Sequence, residues 1–352
     1  MGKVLMKGNE ALAEAAIRAG CIHFFGYPIT PQNEVCSYLS RHLPKVGGTY
    51  LQAESEIAAI NMVMGAAAAG VRAMTSSSSP GISLKTEGIS YIAACDLPCL
   101  IVSVQRAGPG LGGIQPAQSD YNQATKAPGH GDFKILVFTP STVRESCDLV
   151  FKAFELSEQY RIPAMILTDG LLGQMMEPLE LPERNLKPSE KPWALTGKRG
   201  VRARNIVSSL QLQPDELERT TIERYKRYGE VQEKHSMCEE YLTGDADILV
   251  VAYGTASRIA RASIDAAREQ GIKAGMLRPI TVWPFPVKQL QSRLETVKAA
   301  LVVEMSMGQM LLDVQLAANG RCPIHFYGRT GGVMPTPDEV LEQIKSLNGG
   351  VK

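Results

Sequence analysis

The chain has almost no net charge, and it lacks a long apolar run and any ordered set of cysteines. Its 37 Lys and Arg face 36 Asp and Glu, leaving +1 over 352 residues. So small an imbalance exerts little long-range pull on nucleic acid or an anionic membrane surface, and neither is expected as a partner. No stretch reaches the roughly 18 apolar residues of a membrane-spanning helix. The nearest, residues 57–71, is Ala/Gly-rich and bounded by Glu56 and Arg72. Lys3, Lys7, Glu10 and Glu14 stand where a signal peptide needs an apolar block, and the opening MGKVLM lacks the Ser or Thr of a myristoylation signal. A cytoplasmic chain is expected. The 7 cysteines are scattered, and only Cys95 and Cys99 lie close, as CDLPC without a second pair. They read as small buried side chains in a reducing compartment, with no metal held by this chain.

An apolar fraction of 44% against 21% charged residues supports sizeable cores, and the length suggests two domains with an extra segment. Up to about residue 175, short β-branched runs alternate with helix-like stretches. Strands are expected at 22–26, 49–52, 72–76, 99–105, 133–138 and 164–168. Such alternation gives a mostly parallel sheet covered by helices on both faces. Residues 246–352 repeat the pattern on a smaller scale, with strands at 248–253, 273–277, 300–303 and 325–327 and helices near 256–270, 287–297, 308–319 and 337–347. Between these units, 176–245 is punctuated by prolines 178, 182, 188, 192 and 214 and carries a basic cluster at Lys198, Arg199, Arg202 and Arg204, read as solvated surface. A charged, helical stretch from Asp215 to Tyr241 follows, and so long a connection is expected to pack on a partner or on the other domain.

Ligands of open parallel α/β sheets bind beyond the carboxyl ends of the strands. Four polar or Gly-rich segments follow strands of the first unit: Gly26–Pro31, Ala53–Glu56, Ser76–Gly81 and Arg106–Gly110. In the first, Thr30-Pro31 reads as an N-cap with proline at the first helical position, or as an anion site at a helix start. Glu54 and Glu56 suit a helix N-terminus by charge alone, and only one is expected to do more. The small residues behind them point to close packing by another backbone or subunit. Ser76–Ser79 is either a flexible loop or a set of hydroxyls near a ligand. Arg106 at a strand's end could clamp a carboxylate or form an ion pair at the sheet edge. GPGLGG at 108–113 satisfies G-x-G-x-x-G, but it follows the fourth strand and precedes a polar run, so it reads as a loop over a substrate or partner rather than a dinucleotide site. His130, in GHGD, is the one histidine with an acid–base reading; His23, His42, His235 and His325 read as structural.

Taken together, YPITP at 27–31, AESE at 53–56 with Ala58-Ala59, TSSSSPG at 75–81 and QRAGPGLG at 105–112 resemble the 2-oxoacid:ferredoxin oxidoreductases. The likeness is greatest to the pyrimidine-domain subunit of the branched-chain, 3-methyl-2-oxobutanoate enzymes, and it covers nearly the whole chain. It implies an α/β fold: a thiamine-diphosphate-binding pyrimidine-type domain at 1–175 with a mostly parallel sheet, an interaction segment at 176–245, and a smaller transketolase C-terminal-like α/β domain at 246–352. By the same resemblance Glu56 is catalytic, hydrogen-bonding the aminopyrimidine ring so that its imino tautomer can act as a base. Tyr27, Pro28 and Ile29 would also contact the cofactor, and Thr30 and Arg106 would hold the substrate carboxylate. A GDG…N signature and a cysteine set are missing, so Mg²⁺ and a 4Fe–4S cluster would sit on a partner subunit that shares the thiamine diphosphate, with a gamma-type subunit and ferredoxin as further partners. The implied reaction is oxidative decarboxylation of a branched-chain 2-oxoacid with coenzyme A to acyl-CoA, CO₂ and reduced ferredoxin. Alternatives are 2-oxoglutarate or pyruvate as substrate, a related thiamine-dependent dehydrogenase or decarboxylase, or a non-catalytic scaffold subunit.

Overall fold

The computed structural model describes residues 2–184, 190–198, 200 and 202–350, so Pro188 and Arg199 of the connecting segment lie outside the described residues. The strands, in chain order, are β1 (Val4–Lys7), β2 (His23–Gly26), β3 (Thr49–Gln52), β4 (Ala73–Ser77), β5 (Leu100–Gln105), β6 (Leu136–Phe138), β7 (Ala164–Asp169), β8 (Met176–Leu179), β9 (Cys238–Tyr241), β10 (Ile248–Val251), β11 (Ala274–Pro279), β12 (Thr281–Trp283), β13 (Ala299–Glu304) and β14 (Ile324–Gly328). The expected α/β architecture is present. The first sheet has the order β12-β6-β7-β5-β4-β2-β3. Strands β2 to β7 within it are mutually parallel, and only the edge strand β12 runs antiparallel. The second sheet, β14-β13-β10-β11-β9, is parallel except for its edge strand β9.

The inner strands β5, β6, β7 and β10, with β13, are buried on both faces, which is why they read as largely unbroken apolar runs rather than alternating ones. On the first sheet Leu100, Val102 and Val104 enter one core and Ile101 the opposite core. That second core continues to Leu249 and Val251 of the second sheet, so the two units share apolar packing. Ile248 and Val250 face a third core under the helices Gly254–Glu269 and Pro337–Gly350. Among the described residues no helix is long and apolar enough to cross a membrane.

Three local expectations change. The helix after β2 is Asn33–His42, preceded by Gln32, so Thr30 is not its N-cap and Pro31 is not its first residue. Gln32 turns its buried side chain inward, donating to the Tyr27 carbonyl at 3.2 Å and accepting from Ser76 at 2.6 Å, and the helix begins only after it. The strand expected at 133–138 is reduced to β6, because the Phe133 N–H turns back to the Gly131 carbonyl at 3.2 Å. The connecting segment contains β8, which pairs with β1, the helix Pro214–Lys234 and the edge strand β9. Arg224, Tyr228 and Val231 of that helix are buried, with Arg224 donating to Asp96 at 3.0 Å and to the Ala94 carbonyl at 2.5 Å.

Candidate active site at the carboxyl edge of the first sheet

From β2 the chain passes to β3 on one side, then returns to place β4 on the other side and continues outward to β5. Connections therefore leave β2 and β4 in opposite directions, and a crevice opens between their carboxyl ends. The turn 27–31 lies on one side of that crevice and Ser76–Gly81 on the other; Gln32, bonded to both Tyr27 and Ser76, joins them.

Ser55 caps the next helix, Glu56–Ala68, by accepting the Ala58 N–H at 3.3 Å. Capping divides the two carboxylates: Glu54 is exposed and bonded by Ser55 at 2.8 Å, whereas Glu56 is 6% exposed. The Glu56 carboxylate accepts no hydrogen bond from any described residue. It lies over the first turn of the helix Ser79–Ala94, where a Cβ added to Gly81 would meet Glu56 Oε1 at 2.6 Å and Ser77 Oγ at 2.1 Å. Only glycine leaves this carboxylate its place. Close approach recurs further along, where a Cβ at Gly88 would meet Ile60 Cγ2 at 2.4 Å. The backbone packed on the small-residue helix is thus that of Ser79–Ala94, while Ile57 and Met62 on its other face stay exposed. Behind Glu56 stands Lys85, fully buried, its Nζ 3.4 Å from the Glu56 carbonyl. Burial pulls the Lys85 amine down to about 8, against the opposing pull of the Glu56 charge.

Arg106 follows β5 directly and is 6% exposed. Nη1 donates to the Thr30 carbonyl at 2.9 Å and Nη2 to the Leu111 carbonyl at 3.1 Å, while Nε is buried without a partner. A guanidinium carries five donors, so the two backbone contacts orient it and leave N–H groups unused. Neither contact is the ion pair considered for a sheet edge. Thr30 is half-buried, and its Oγ1 accepts from Asn33 at 3.2 Å; Ile29 is half-buried too, while Tyr27 and Pro28 are exposed at the mouth of the turn. The Gly-rich loop folds back through Gly113 N–H to the Ala107 carbonyl at 2.9 Å and leaves Leu111 85% exposed.

Sequence reasoning missed Gln32, Lys85 and Asp120. Asp120 accepts a 2.5 Å bond from Ser79, whose oxygen in turn accepts the Arg106 N–H at 3.0 Å. Burial lifts the Asp120 carboxyl to about 6, against the Ser79 hydrogen bond and the Arg106 charge. His130 is not brought to this edge. It lies against Ser90 at 3.3 Å and edge-on to Tyr91, about 16 Å along the helix from Ser79 at about 1.5 Å per residue. Among the described residues no group of three or more His, Cys, Asp and Glu is placed to hold a metal ion.

The Glu56 carboxylate thus lies against this helix turn at Gly81 and the Arg106 backbone is bonded to it at Ser79, with the Ser77 and Ser78 hydroxyls and Arg106 Nε buried and unpartnered. Unpartnered buried polar groups cost free energy unless a ligand or water satisfies them, and here they cluster at the carboxyl ends of β4 and β5.

Residues 14–241 match the family described as pyruvate flavodoxin/ferredoxin oxidoreductase, thiamine diphosphate-binding, and residues 246–340 match pyruvate:ferredoxin oxidoreductase core domain II. The chain belongs to this thiamine diphosphate-binding oxidoreductase family. Among its relatives, ketoisovalerate oxidoreductase subunit VorB of Methanothermobacter thermautotrophicus is 47% identical over 350 residues, 99% of each chain. The 2-oxoglutarate synthase subunit KorA of the same organism is 36% identical over 97% of this chain and 98% of its own. The structure of 2-oxoglutarate:ferredoxin oxidoreductase from Magnetococcus marinus, with 2-oxoglutarate, coenzyme A and succinyl-CoA bound, superposes with a TM-score of 0.88 at 28% identity. That match covers all of this chain, which spans 66% of the other. A split-gene transketolase shares the fold over 99% of both chains, with a TM-score of 0.60 at 13% identity.

Thiamine diphosphate is the cofactor this family implies, and the crevice fits its pyrimidine end. A buried carboxylate that accepts no hydrogen bond from any described residue is the acceptor an aminopyrimidine ring calls for, and Gly81 is the residue that lets it sit there.

Proposed function

We propose that this chain is the pyrimidine-side subunit of a 2-oxoacid:ferredoxin oxidoreductase that converts 3-methyl-2-oxobutanoate and coenzyme A to the branched-chain acyl-CoA and CO₂, with electrons passing to ferredoxin. The observation that carries the reading is that Glu56 and Arg106 are each buried with unused hydrogen-bonding capacity beside the first turn of the helix Ser79–Ala94, Glu56 with its carboxylate at Gly81 and Arg106 with its backbone at Ser79. The branched-chain preference rests on the 47% identity to a ketoisovalerate oxidoreductase subunit, against 36% to a 2-oxoglutarate synthase subunit.

When bound, thiamine diphosphate supplies the nucleophilic carbon and the electron sink for loss of CO₂. Glu56 would accept a hydrogen bond from the pyrimidine ring and hold that proton at its carboxylate. Tyr27, Pro28 and Ile29 would border the same ring. Arg106 would grip the 2-oxoacid carboxylate through N–H groups not engaged by Thr30 and Leu111, and the Thr30 hydroxyl would add a second contact. A charge-assisted grip of this kind strengthens as the crevice excludes water. Residues 1–175 would form the cofactor unit, 176–245 an assembly segment and 246–352 the second unit. Mg²⁺ and a 4Fe–4S cluster are assigned to a partner subunit that completes the site, alongside a gamma-type subunit, in the cytoplasm.

The test is the complex purified anaerobically through this chain with its natural companions, assayed for thiamine, iron and coenzyme A-dependent reduction of ferredoxin. The expected order of kcat/KM is 3-methyl-2-oxobutanoate above pyruvate and 2-oxoglutarate. A complex that lacks thiamine even after its addition with Mg²⁺ would remove the function and leave the fold.

A further inference from the structure

Ser79 has one hydroxyl proton and two acceptors within reach: Asp120 Oδ2 at 2.5 Å and the Arg106 carbonyl at 3.2 Å. The shorter, charge-assisted bond to Asp120 takes the proton. A lone pair of the same oxygen is then free for the Arg106 N–H at 3.0 Å. The end of β5, where the backbone turns to present the guanidinium, is held by that bond.

Asp120 is fixed by its own unit, and its neighbours are fixed by the second. Its N–H donates to Gln105 Oε1 at 3.1 Å, and Gln105 reaches on to the Thr168 carbonyl at 3.3 Å. On either side of it, Gln309 of the second unit donates to the Ser119 carbonyl at 2.6 Å and accepts the Asn122 N–H at 2.8 Å. Gln118 exchanges bonds with Met305 at 2.9 and 3.0 Å and donates to the Tyr253 carbonyl at 2.8 Å, and Tyr121 donates to Asp313 at 2.5 Å. The residues flanking Asp120 are therefore gripped by the second unit, and Asp120 alone among them reaches back to Ser79.

We propose that Asp120 is a positioning residue for the substrate arginine, setting Arg106 through Ser79, and that the second unit presents it to the site. The inference rests on the reading of Arg106 as the carboxylate grip. Ionised Asp120 keeps the Ser79 proton away from the Arg106 carbonyl, so the strand end and its guanidinium keep one orientation. Without Asp120 the Ser79 oxygen still accepts the Arg106 N–H but is no longer fixed by its short bond, so the hydroxyl is free to turn to the carbonyl, the strand end loosens, and the guanidinium loses register with the substrate carboxylate. Ground-state binding of the 2-oxoacid is what such a loss would remove.

The experiment compares Asp120→Ala, Asp120→Asn, Gln309→Ala and Arg106→Gln in the purified complex at saturating coenzyme A. KM and kcat are measured, with calorimetric affinity for 3-methylbutanoate, which keeps the carboxylate but has no 2-oxo group. Asp120→Ala is expected to raise KM and weaken 3-methylbutanoate binding about tenfold, the scale of one lost charge-assisted hydrogen bond, with kcat changed less than about threefold. Asp120→Asn, which can still accept the Ser79 proton, should recover most of that loss, and Gln309→Ala should show a smaller shift in the same direction. If Arg106→Gln raises KM while Asp120→Ala leaves it within about twofold of the parent, the positioning role is overturned and the reading of Arg106 stands. If Arg106→Gln itself leaves both constants unchanged, the reading of the site falls and the role of Asp120 falls with it. A joint loss of kcat, thiamine content and melting temperature in Asp120→Ala, not rescued by Asn, would overturn positioning in favour of a purely structural role.

Discussion

The helix Ser79–Ala94 carries polar residues at both ends, and the ends differ in what those residues still have to offer. At its start, Glu56, Ser77 and Arg106 are buried with hydrogen-bonding capacity unspent. At its finish, Ser90 and His130 bond each other at 3.3 Å, and Tyr91 donates to Glu87 at 2.5 Å. Here the exposed His130 borders a groove of about 660 Å³ against Leu217 and Ile222. The cavity beside Thr30 measures about 390 Å³ and is lined by Ile114, Gln115, Gly170 and Gln174 rather than by Glu56 or Arg106. Cavity size points to the finish of the helix. Buried groups held in place by backbone contacts, yet short of partners, mark the other, because the fold bears their desolvation cost with no gain of its own.

The sharpest way to break this comparison is at Glu56. Glu56→Gln keeps the shape and removes the anionic acceptor, and turnover is expected to fall about 10²-fold or more with the complex still assembled. Steady-state reduction of ferredoxin, read beside size-exclusion elution, checks both halves. Near-parental turnover would return Glu56 to ordinary helix-start chemistry. Next in size is Arg106→Gln, expected to raise the 2-oxoacid KM on the order of tenfold or more, with coenzyme A KM unmoved.

How far could these ends have been told apart before folding? The strand Thr49–Gln52 is legible to the residue, since β-branched and aromatic residues stand between clear turn signals. The loops that meet at the crevice are legible from topology alone. Pairings that join distant segments are not: β1 meets β8 across the whole first unit, and β12 returns to that unit's sheet after the chain has entered the second. Each is only 3 or 4 residues long, too short for a periodic signal. Asp120 sat in a run read simply as polar, and its importance comes from Ser79, 41 positions away. Thr30-Pro31 misled for a different reason: the pattern of a helix start is local, whereas the inward turn of Gln32 is decided by Ser76 on another strand. Nothing in the pattern around Lys85 singles it out, and only burial gives it meaning.

Lys85 sharpens the comparison through stability. Its amine is fully buried and drawn from 10.5 to about 8 in the folded chain. Between about pH 8 and 10.5 the unfolded chain binds more protons at this site than the folded one, so stability should rise with pH across that window and be lowest, as far as Lys85 is concerned, below it. Burying this charge costs on the order of 3 kcal/mol at neutral pH. Lys85→Met, close in volume and uncharged, is expected to stabilise the chain by about 1–3 kcal/mol at pH 7 and to flatten the rise above pH 8. Denaturant unfolding at pH 7 and 9.5 measures both. Equal slopes with pH in parent and variant would mean that Lys85 is not a burdened charge and that the start of the helix is less costly than its burial implies.

The smallest effect belongs to the other end. His130 has an acid–base side chain, a hydroxyl neighbour at 3.3 Å and a large groove beside it, which is what a search by residue type alone would choose. Its ring is exposed, its partners are satisfied, and about three helix turns, on the order of 16 Å, separate Ser90 from Ser79. A proton donor must stand within hydrogen-bond reach of the atom it serves, directly or through one water. His130→Ala should therefore leave kcat and both KM values within about twofold of the parent, with its pH–rate profile unshifted. A kcat lowered tenfold or more would place His130 in the proton path after all. That would mean that the two ends of the helix are joined by a partner surface folding over the groove, and that exposure in the isolated chain is a poor guide to what the assembled complex encloses.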